Sequence, residues 1–262
     1  MKRRDIGLLV MSFLAVGGSV AAHLSLGVYL NSNAYRVRVE QAVGAFFDLP
    51  CDIAAAHPLT FSSKVYEGVR IWLPDRRDRI FECSRAVWRE YQVDGAPAVN
   101  LDLIDGTIAF GTDKWHLEDY RRVLESALGG EMDELRRVRL DGFEISFRRR
   151  DLLLSCAQAA GTIDYETPEV GIVSLEAYVF NGRPVREPIR VHARFQPSGD
   201  ALIEHMIVAI PEVELAALGL DAAVGGNITR GRFSGRLEFH EARPQARLTI
   251  SGRAYNIDLA QL

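Results

Sequence analysis

The chain has 262 residues, of which 48% are hydrophobic and 25% are charged, and its formal net charge is −4. This charge balance argues against a general nucleic-acid binder, which needs a basic surface. No low-complexity tract and no linker rich in Pro, Gly and Ser marks a boundary between domains. The composition is therefore that of an ordinary folded chain, long enough for one sizeable domain with a hydrophobic core.

The first predicted element is a membrane-spanning helix at residues 6–30, a stretch without a charged side chain. At about 1.5 Å per residue it is long enough to cross a hydrocarbon core of roughly 30 Å. The basic residues Lys2, Arg3 and Arg4 favour a cytoplasmic N-terminus. We therefore expect residues 1–30 to be a cytoplasmic start and an anchor, with residues 31–262 on the other side of the membrane. A cleaved signal peptide is the alternative, but the apolar run continues past the small residues 17–21.

Three short helices are predicted after the anchor. The first follows the potential cap at residues 31–33, has apolar residues at three- and four-residue spacing, and ends before Pro50. Its apolar stripe is expected to pack on the following domain. The second covers residues 117–128 and ends at Gly129 and Gly130, and the third covers residues 211–218.

The rest of the chain has the two-residue period of β-strands, with one apolar and one polar face on each strand. This pattern is typical of an antiparallel sheet that is solvated on one side. The fold class is therefore mainly β with a few short helices, built on a long curved antiparallel sheet that forms either an open groove or a closed sandwich. The apolar faces supply the candidate groove residues: Val69, Ile71, Leu73, Phe143, Ile145, Phe147, Ile189, Val191, Phe195, Phe233, Leu237, Phe239, Leu248 and Ile250.

A glycine follows a small polar residue within four strand patterns, at Gly106, Gly142, Gly235 and Gly252. Glycine at such positions permits a β-bulge or a bend. Regular bends are one way in which a long sheet curls. The repetition therefore favours a curved sheet.

No catalytic motif is present, and we expect neither an enzyme, nor a cofactor, nor a metal site. The sequence contains no HExxH, GxxxxGK or GxSxG motif, and its six histidines show no ligand spacing. Of the three cysteines, Cys83 and Cys156 both lie in predicted strands and are the more plausible disulfide pair in an oxidising compartment. The alternative is that Cys51, Cys83 and Cys156 are small buried hydrophobic residues.

The order of an N-terminal anchor, the segment at residues 33–44 and a long run of alternating strands resembles the AsmA-like family of bacterial envelope proteins. The segments at residues 225–235 and 246–262 are similar to that family's closing strand pair. The resemblance implies a single-pass anchor in the bacterial inner membrane, with a periplasmic β-rich domain at residues 31–262 that is bent into an apolar groove. It also implies a role in lipid movement between membranes or in maintenance of the outer membrane.

Two functions are consistent with these patterns. The predicted helices are too few to cover the apolar face of so long a sheet, so that face must be covered by a second layer or by something that is not protein. The first prediction is therefore a lipid-binding or lipid-transfer module whose partner is membrane lipid. The alternative is a non-catalytic structural or accessory subunit of a membrane complex, which contacts envelope proteins through its anchor and strand edges.

Overall fold

The computed structural model describes residues 26–60, 62–73, 78–111, 134–149, 152–167, 170–196, 203–215, 228–242 and 245–259. These residues form a mainly β protein with one long, curved, unclosed sheet. The strands are β1 (Cys51–Asp52), β2 (Ala55–Thr60), β3 (Ser63–Trp72), β4 (Arg79–Val93), β5 (Ala96–Gly111), β6 (Leu135–Arg149), β7 (Leu152–Thr167), β8 (Val170–Phe180), β9 (Arg183–Phe195), β10 (Ile203–Glu214), β11 (Ile228–Ala242) and β12 (Gln245–Leu259).

The predicted helix after the anchor is confirmed as α1 (Asn33–Phe47). The hydroxyl of Ser32 caps its start by accepting a hydrogen bond from the backbone N–H of Tyr35 at 3.2 Å. Asp48 ends the helix in the left-handed conformation. The apolar side of α1 packs against the first part of the sheet, as predicted, through Val39, Val43 and Phe47.

Two side chains of α1 also bond to the chain that enters the sheet. Arg36 donates to the carbonyl oxygen of Ile53 at 2.7 Å, and Glu40 accepts from the backbone N–H of Ile53 at 2.8 Å. Arg36 and Glu40 form an ion pair with each other. Apolar packing and these polar contacts together fix α1 at the β1 edge of the sheet.

The predicted anchor lies almost wholly outside the described residues. Its last part, residues 26–30, is helical and precedes α1. Among the helices that the structure does describe, none is both long and apolar enough to cross a membrane.

The strands follow one another across the sheet in the order β1, β3, β4, β5, β6, β7, β8, β9, β10, β11, β12, and β2 also pairs with β3. All neighbours are antiparallel except β5 and β6, which are parallel. The prediction of a fully antiparallel sheet is wrong at this one pair. A parallel pair needs a long crossover connection, which is usually helical. The connection at residues 112–133 contains the predicted helix at 117–128 and lies outside the described residues.

The sheet has two edges. In the described part of the chain, β1 and β2 bond only to β3, and β12 bonds only to β11. The first and last strands do not pair with each other, so the sheet does not close. Of the two expected arrangements, the long curved open sheet is therefore the one observed.

Matched bulges lie on the two parallel strands. Asp105 in β5 has φ 49° and Gly142 in β6 has φ 72°, and the two residues are neighbours because Ile104 pairs with Asp141 and Gly106 with Phe143. Bulges of this kind bend a strand and increase its twist. The predicted role of the Asp-Gly steps in curvature agrees with this geometry. Gly235 and Gly252 differ, because they pair with each other without a left-handed φ.

The helix predicted at residues 211–218 is wrong over its first half, because β10 continues to Glu214. Val213 pairs with Phe233 of β11 and is only 5% exposed. The register shifts between Ile210 and Val213, which places Pro211 at an irregularity where its missing N–H removes no regular ladder bond. Tertiary burial of Val213 therefore outweighs the local helix signal. Residues 216–218 lie outside the described chain.

The three cysteines are free thiols, so the expected pair of Cys83 and Cys156 is not formed. Cys51 and Cys83 are buried, with 8% and 0% exposed, and both belong to the largest hydrophobic cluster. Burial raises the pKa of each of these two thiols to about 12. The alternative interpretation, small buried hydrophobic residues, describes Cys51 and Cys83 well.

These thiols give a simple test of the fold. At pH 8 in the native protein we expect Cys51 and Cys83 to be almost unreactive towards a chromogenic disulfide reagent, because the thiolate is the reactive form and both groups are shielded. In denaturant all three cysteines are expected to react quickly. Rapid native labelling of Cys83, located by peptide mass spectrometry, would contradict the packing described above.

Candidate functional site

One row of neighbouring side-chain positions crosses ten adjacent strands without a charged residue. Each member is the direct register partner of the next. We call it the central row: Tyr66, Ala86, Leu103, Leu140, Gly161, Leu175, Val191, Val208, Leu237 and Ile250. Because directly paired residues lie on the same face of a sheet, the central row defines one continuous apolar face, here called the inner face.

A second row runs parallel to the central row. It begins in β4, ends in β12 and is again entirely apolar. We call it the lateral row: Trp88, Leu101, Val138, Ile163, Val173, Ala193, Met206, Phe239 and Leu248. Two uninterrupted rows establish that the inner face continues from β4 to β12.

The candidate groove residues divide into three groups by the burial of their side chains. The buried group comprises Val69, Ile71, Leu73, Phe143, Ile189 and Phe195. The half-buried group comprises Ile145, Val191, Phe233, Leu237 and Phe239. For Phe147, Leu248 and Ile250 the structure gives the strand register and not the side chain. The register brings Val191, Leu237 and Ile250 together in the central row, and Phe239 and Leu248 in the lateral row.

Burial along the inner face decreases towards the C-terminal strands. Phe143 in β6 is 0% exposed and Phe195 in β9 is 2% exposed, whereas Val208, Leu237 and Phe239 in β10 and β11 are only half-buried. Helix α1 contacts β1 and β2, at the opposite end. Half-buried apolar residues also occur on earlier strands, among them Leu103, Leu175 and Val191, so accessible apolar surface is present along much of the inner face and includes β10 and β11.

Large aromatic side chains on the inner face lie over glycines of the same strand or of a neighbouring strand. A Cβ atom on Gly106 would lie 2.6 Å from the Phe143 ring, and one on Gly171 would lie 2.0 Å from the Phe195 ring. Phe233 covers Gly235 and Gly252 in the same way, at 2.5 Å and 2.7 Å. These glycines are needed for space, because any larger residue would overlap a ring atom.

A pocket lies where β8, β9, β10 and β11 run side by side. Its apolar part is formed by Phe180, Val185 and Val213, and three arginines surround it: Arg183, Arg186 and Arg232. Arg183 forms an ion pair with Glu214, and Arg232 forms one with Glu212. The hydroxyl of Tyr255 donates to Glu212 and, together with Arg232, holds the pKa of that carboxyl below its usual value. Glu212 and Glu214 also line the pocket, so it joins apolar surface to three guanidinium cations, two of which are paired with carboxylates.

The opposite face, here called the outer face, is mainly polar, as the two-residue period predicts, except in β3 and β4, where Val65 and Val87 pair and are buried. Ion pairs cross between neighbouring strands, among them Arg70 with Glu82, Arg190 with Glu176 and Arg194 with Glu204, at 2.8, 3.0 and 3.0 Å. Such exposed pairs contribute little to stability. The outer-face residues are useful as matched controls, because each is the sequence neighbour of an inner-face residue on the same strand.

Several members of the rows were not among the sequence candidates. Leu101, Leu103 and Leu140 were missed because bulges interrupt the two-residue period of β5 and β6. Leu175 of β8 and Val208 of β10 were missed as well, because no strand face was predicted for these two segments. The arginines of the pocket carried no sequence signal, since arginine is the common basic residue throughout this chain. Only the long-range register brings these residues together.

Neither protein-family models nor curated protein sequences give a match to this chain. Its class is accordingly defined by the fold alone, as a long curved open sheet with one apolar and one polar face.

Proposed function

We propose that the protein is a membrane-anchored lipid-binding or lipid-transfer module of the bacterial envelope, with its sheet in the periplasm and its anchor in the inner membrane. The observation that carries this proposal is the central row, because ten adjacent strands present apolar or glycine positions on one face. An apolar surface of this extent is typical of an interaction site. The resemblance to AsmA-like envelope proteins agrees with the same function.

The dimensions of the inner face suit an acyl chain. Neighbouring strands are about 4.8 Å apart, so ten strands extend roughly 43 Å along the curve of the sheet. One leaflet is half of a hydrocarbon core that is roughly 30 Å thick. The inner face is therefore longer than a single lipid tail, and its half-buried part at Val208, Leu237 and Phe239 offers surface for contact.

The arginine-rich pocket supports an amphiphilic ligand more than a pure hydrocarbon. Its apolar residues Phe180 and Val213 belong to the same hydrophobic cluster as Val208 and Phe233 of the inner face. Guanidinium groups bind phosphate oxygens in a bidentate manner. A lipid with its tail on the inner face and its phosphate near Arg186 would use both features.

The direct test is site-specific photocrosslinking of the full chain in its native membrane. A benzophenone amino acid at Val191 or Leu237 is expected to give phospholipid adducts that are detected by mass spectrometry. The matched controls are Arg190 and Arg236, which are the preceding residues on the same strands and lie on the outer face. Adducts at all four positions, or at none of them, would overturn the proposal.

Occlusion of the groove provides a second measurement. The Val208→Trp variant places a large side chain on the half-buried inner face, whereas Ala209→Trp places it on the exposed outer face one residue away. We expect the first variant to lose co-purified lipid and the second to retain it. Equal lipid content in both variants would indicate that the bound lipid belongs to the anchor and not to the sheet.

A structural subunit of a membrane complex is the second candidate function, and the edge of β12 favours it. In the described chain this strand of fifteen residues pairs only with β11, so its other side can accept a further strand. If the protein is such a subunit, gentle detergent extraction should yield a defined assembly larger than a monomer. A monomer that carries lipid would leave only the first function.

A further inference from the structure

Two histidines meet on the outer face of the C-terminal strands. Met206 of β10 pairs with Phe239 of β11, so His205 and His240, one position further along each antiparallel strand, are opposite each other. Their ring centroids are 4.2 Å apart and the rings are inclined by 14°. Sequence spacing gave no indication of this contact, because only the strand register creates it.

A carboxylate completes the group. Glu238 lies two residues before His240 on β11 and therefore on the same face of the sheet. One ligand atom from each of His205, Glu238 and His240 lies within 4.8 Å of the other two. His205 and Glu238 are half-buried, and His240 is exposed, so an ion can reach the group from solvent.

The geometry points to a metal site. We propose that His205, Glu238 and His240 bind a divalent transition-metal ion, and that Zn²⁺ is the ion that best fits this donor set. Two imidazole nitrogens and one carboxylate oxygen, with a fourth position left to water, form a common zinc coordination set. The site lies on the face opposite the apolar rows, so it is independent of the proposed lipid function.

The observed distances require only a small rearrangement. Ligand atoms about 2.0–2.1 Å from a tetrahedral zinc ion are roughly 3.4 Å apart, so the three groups must approach by at most about 1.4 Å. The stacked rings must also tilt so that their lone pairs converge. The χ2 torsion of histidine has a broad energy minimum, which permits this rotation without a change in the backbone.

The surrounding charges limit the affinity without preventing binding. Glu238 accepts from Arg236 at 2.6 Å through one oxygen, which leaves its other oxygen for a metal. Arg194, the register partner of His205, is held by Glu204 at 3.0 Å and by Glu166 at 3.6 Å. Arg247 is the partner of His240 on the other side. Arg194 is thus compensated by carboxylates outside the site, whereas Arg236 shares Glu238 with the metal and lowers the expected affinity.

The test is titration of the full-length protein with Zn²⁺, followed by calorimetry, and with Co²⁺, followed by the visible bands of tetrahedral cobalt. We expect one ion per chain. His205→Ala and His240→Ala should each weaken binding by at least the roughly 10- to 100-fold that loss of an outer-shell partner costs. Glu238→Gln should weaken binding as well, because an amide oxygen lacks the negative charge.

His192→Ala is the matched control. His192 is an exposed histidine on the outer face of β9, and its Nδ1 lies 3.3 Å from the hydroxyl of Ser174. Its loss should leave metal affinity unchanged. No binding by the wild type, or equal affinity in the His205→Ala and wild-type proteins, would overturn the proposal. Unchanged thermal unfolding of the metal-free variants would establish that altered affinity does not reflect misfolding.

Discussion

Replacement of Phe143 by alanine is expected to lower the free energy of unfolding by about 3–5 kcal/mol, the range found for large aromatic residues in protein cores. Phe143 is 0% exposed, its ring centroid lies 6.2 Å from that of Phe81, and it covers Gly106. Its removal leaves a cavity that rigid strands on both sides cannot fill. Guanidinium titration of the full chain in mild detergent, followed by tryptophan fluorescence, measures the effect.

The control for this variant is Glu144→Ala, one residue further along the same strand. Glu144 is exposed and accepts from the hydroxyl of Ser155 at 2.7 Å. Its loss should change the free energy of unfolding by no more than about 0.5 kcal/mol. If Phe143→Ala were equally mild, the ring would not be enclosed as the burial of Phe143 implies.

Replacement of Gly171 by alanine is expected to cost about 1–3 kcal/mol through overpacking. The new Cβ would lie 2.0 Å from Cζ of Phe195 and 2.6 Å from its two Cε atoms, and Phe195 is only 2% exposed. The ring also makes an edge contact with Tyr165, with centroids 5.8 Å apart, so it has little room to move. Thermal and denaturant unfolding of the full chain measure the loss.

A double-mutant cycle with Phe195→Leu separates this overlap from any other cause. Leucine lacks the Cζ and Cε atoms that meet the new methyl group, so Gly171→Ala should cost less than about 1 kcal/mol in that background. The exposed Ser174→Ala variant on the same strand serves as the neutral control. A cost that is the same with either residue at position 195 would show that the ring is not the obstacle.

Local sequence patterns predicted the strands and their faces well. The alternation in β9 and β11 correctly separates Val191 and Leu237 from Arg190 and Arg236. The dipeptide Asp94-Gly95, a common hairpin sequence, lies between β4 and β5, and its φ values of 52° and 82° suit a tight turn. Local patterns succeed here because turn chemistry and side-chain alternation are properties of neighbouring residues.

Features that depend on distant pairing were not predictable. The parallel contact of β5 with β6 depends on how the chain returns after residue 111, which no local pattern encodes. The extension of β10 through Pro211 depends on burial of Val213 against β11. Whether Cys83 forms a disulfide depends on which residues adjoin it in the folded chain, and it is a free thiol. Each outcome is decided by tertiary contacts that override local preference.

In the candidate site, too, local patterns predicted which face a residue lies on, whereas long-range pairing was not predictable. The sequence indicated that Phe143, Val191 and Leu237 face the apolar side, but it did not indicate which residues adjoin them across strands. Bulges at Asp105 and Gly142 shift the alternation by one residue, which concealed Leu103 and Leu140. The meeting of His205 with His240 likewise requires the register of β10 and β11.

The first and last strands of the sheet each have one free edge, and these edges affect how a ligand would enter. In a closed barrel, a continuous ring of hydrogen bonds fixes the interior diameter, and a ligand must enter through one end. In the described chain the sheet has no such ring, because the β1 edge and the β12 edge do not pair with each other. In the proposed lipid function, a hydrocarbon tail would therefore enter from the side, between these edges, without the loss of a backbone hydrogen bond between strands.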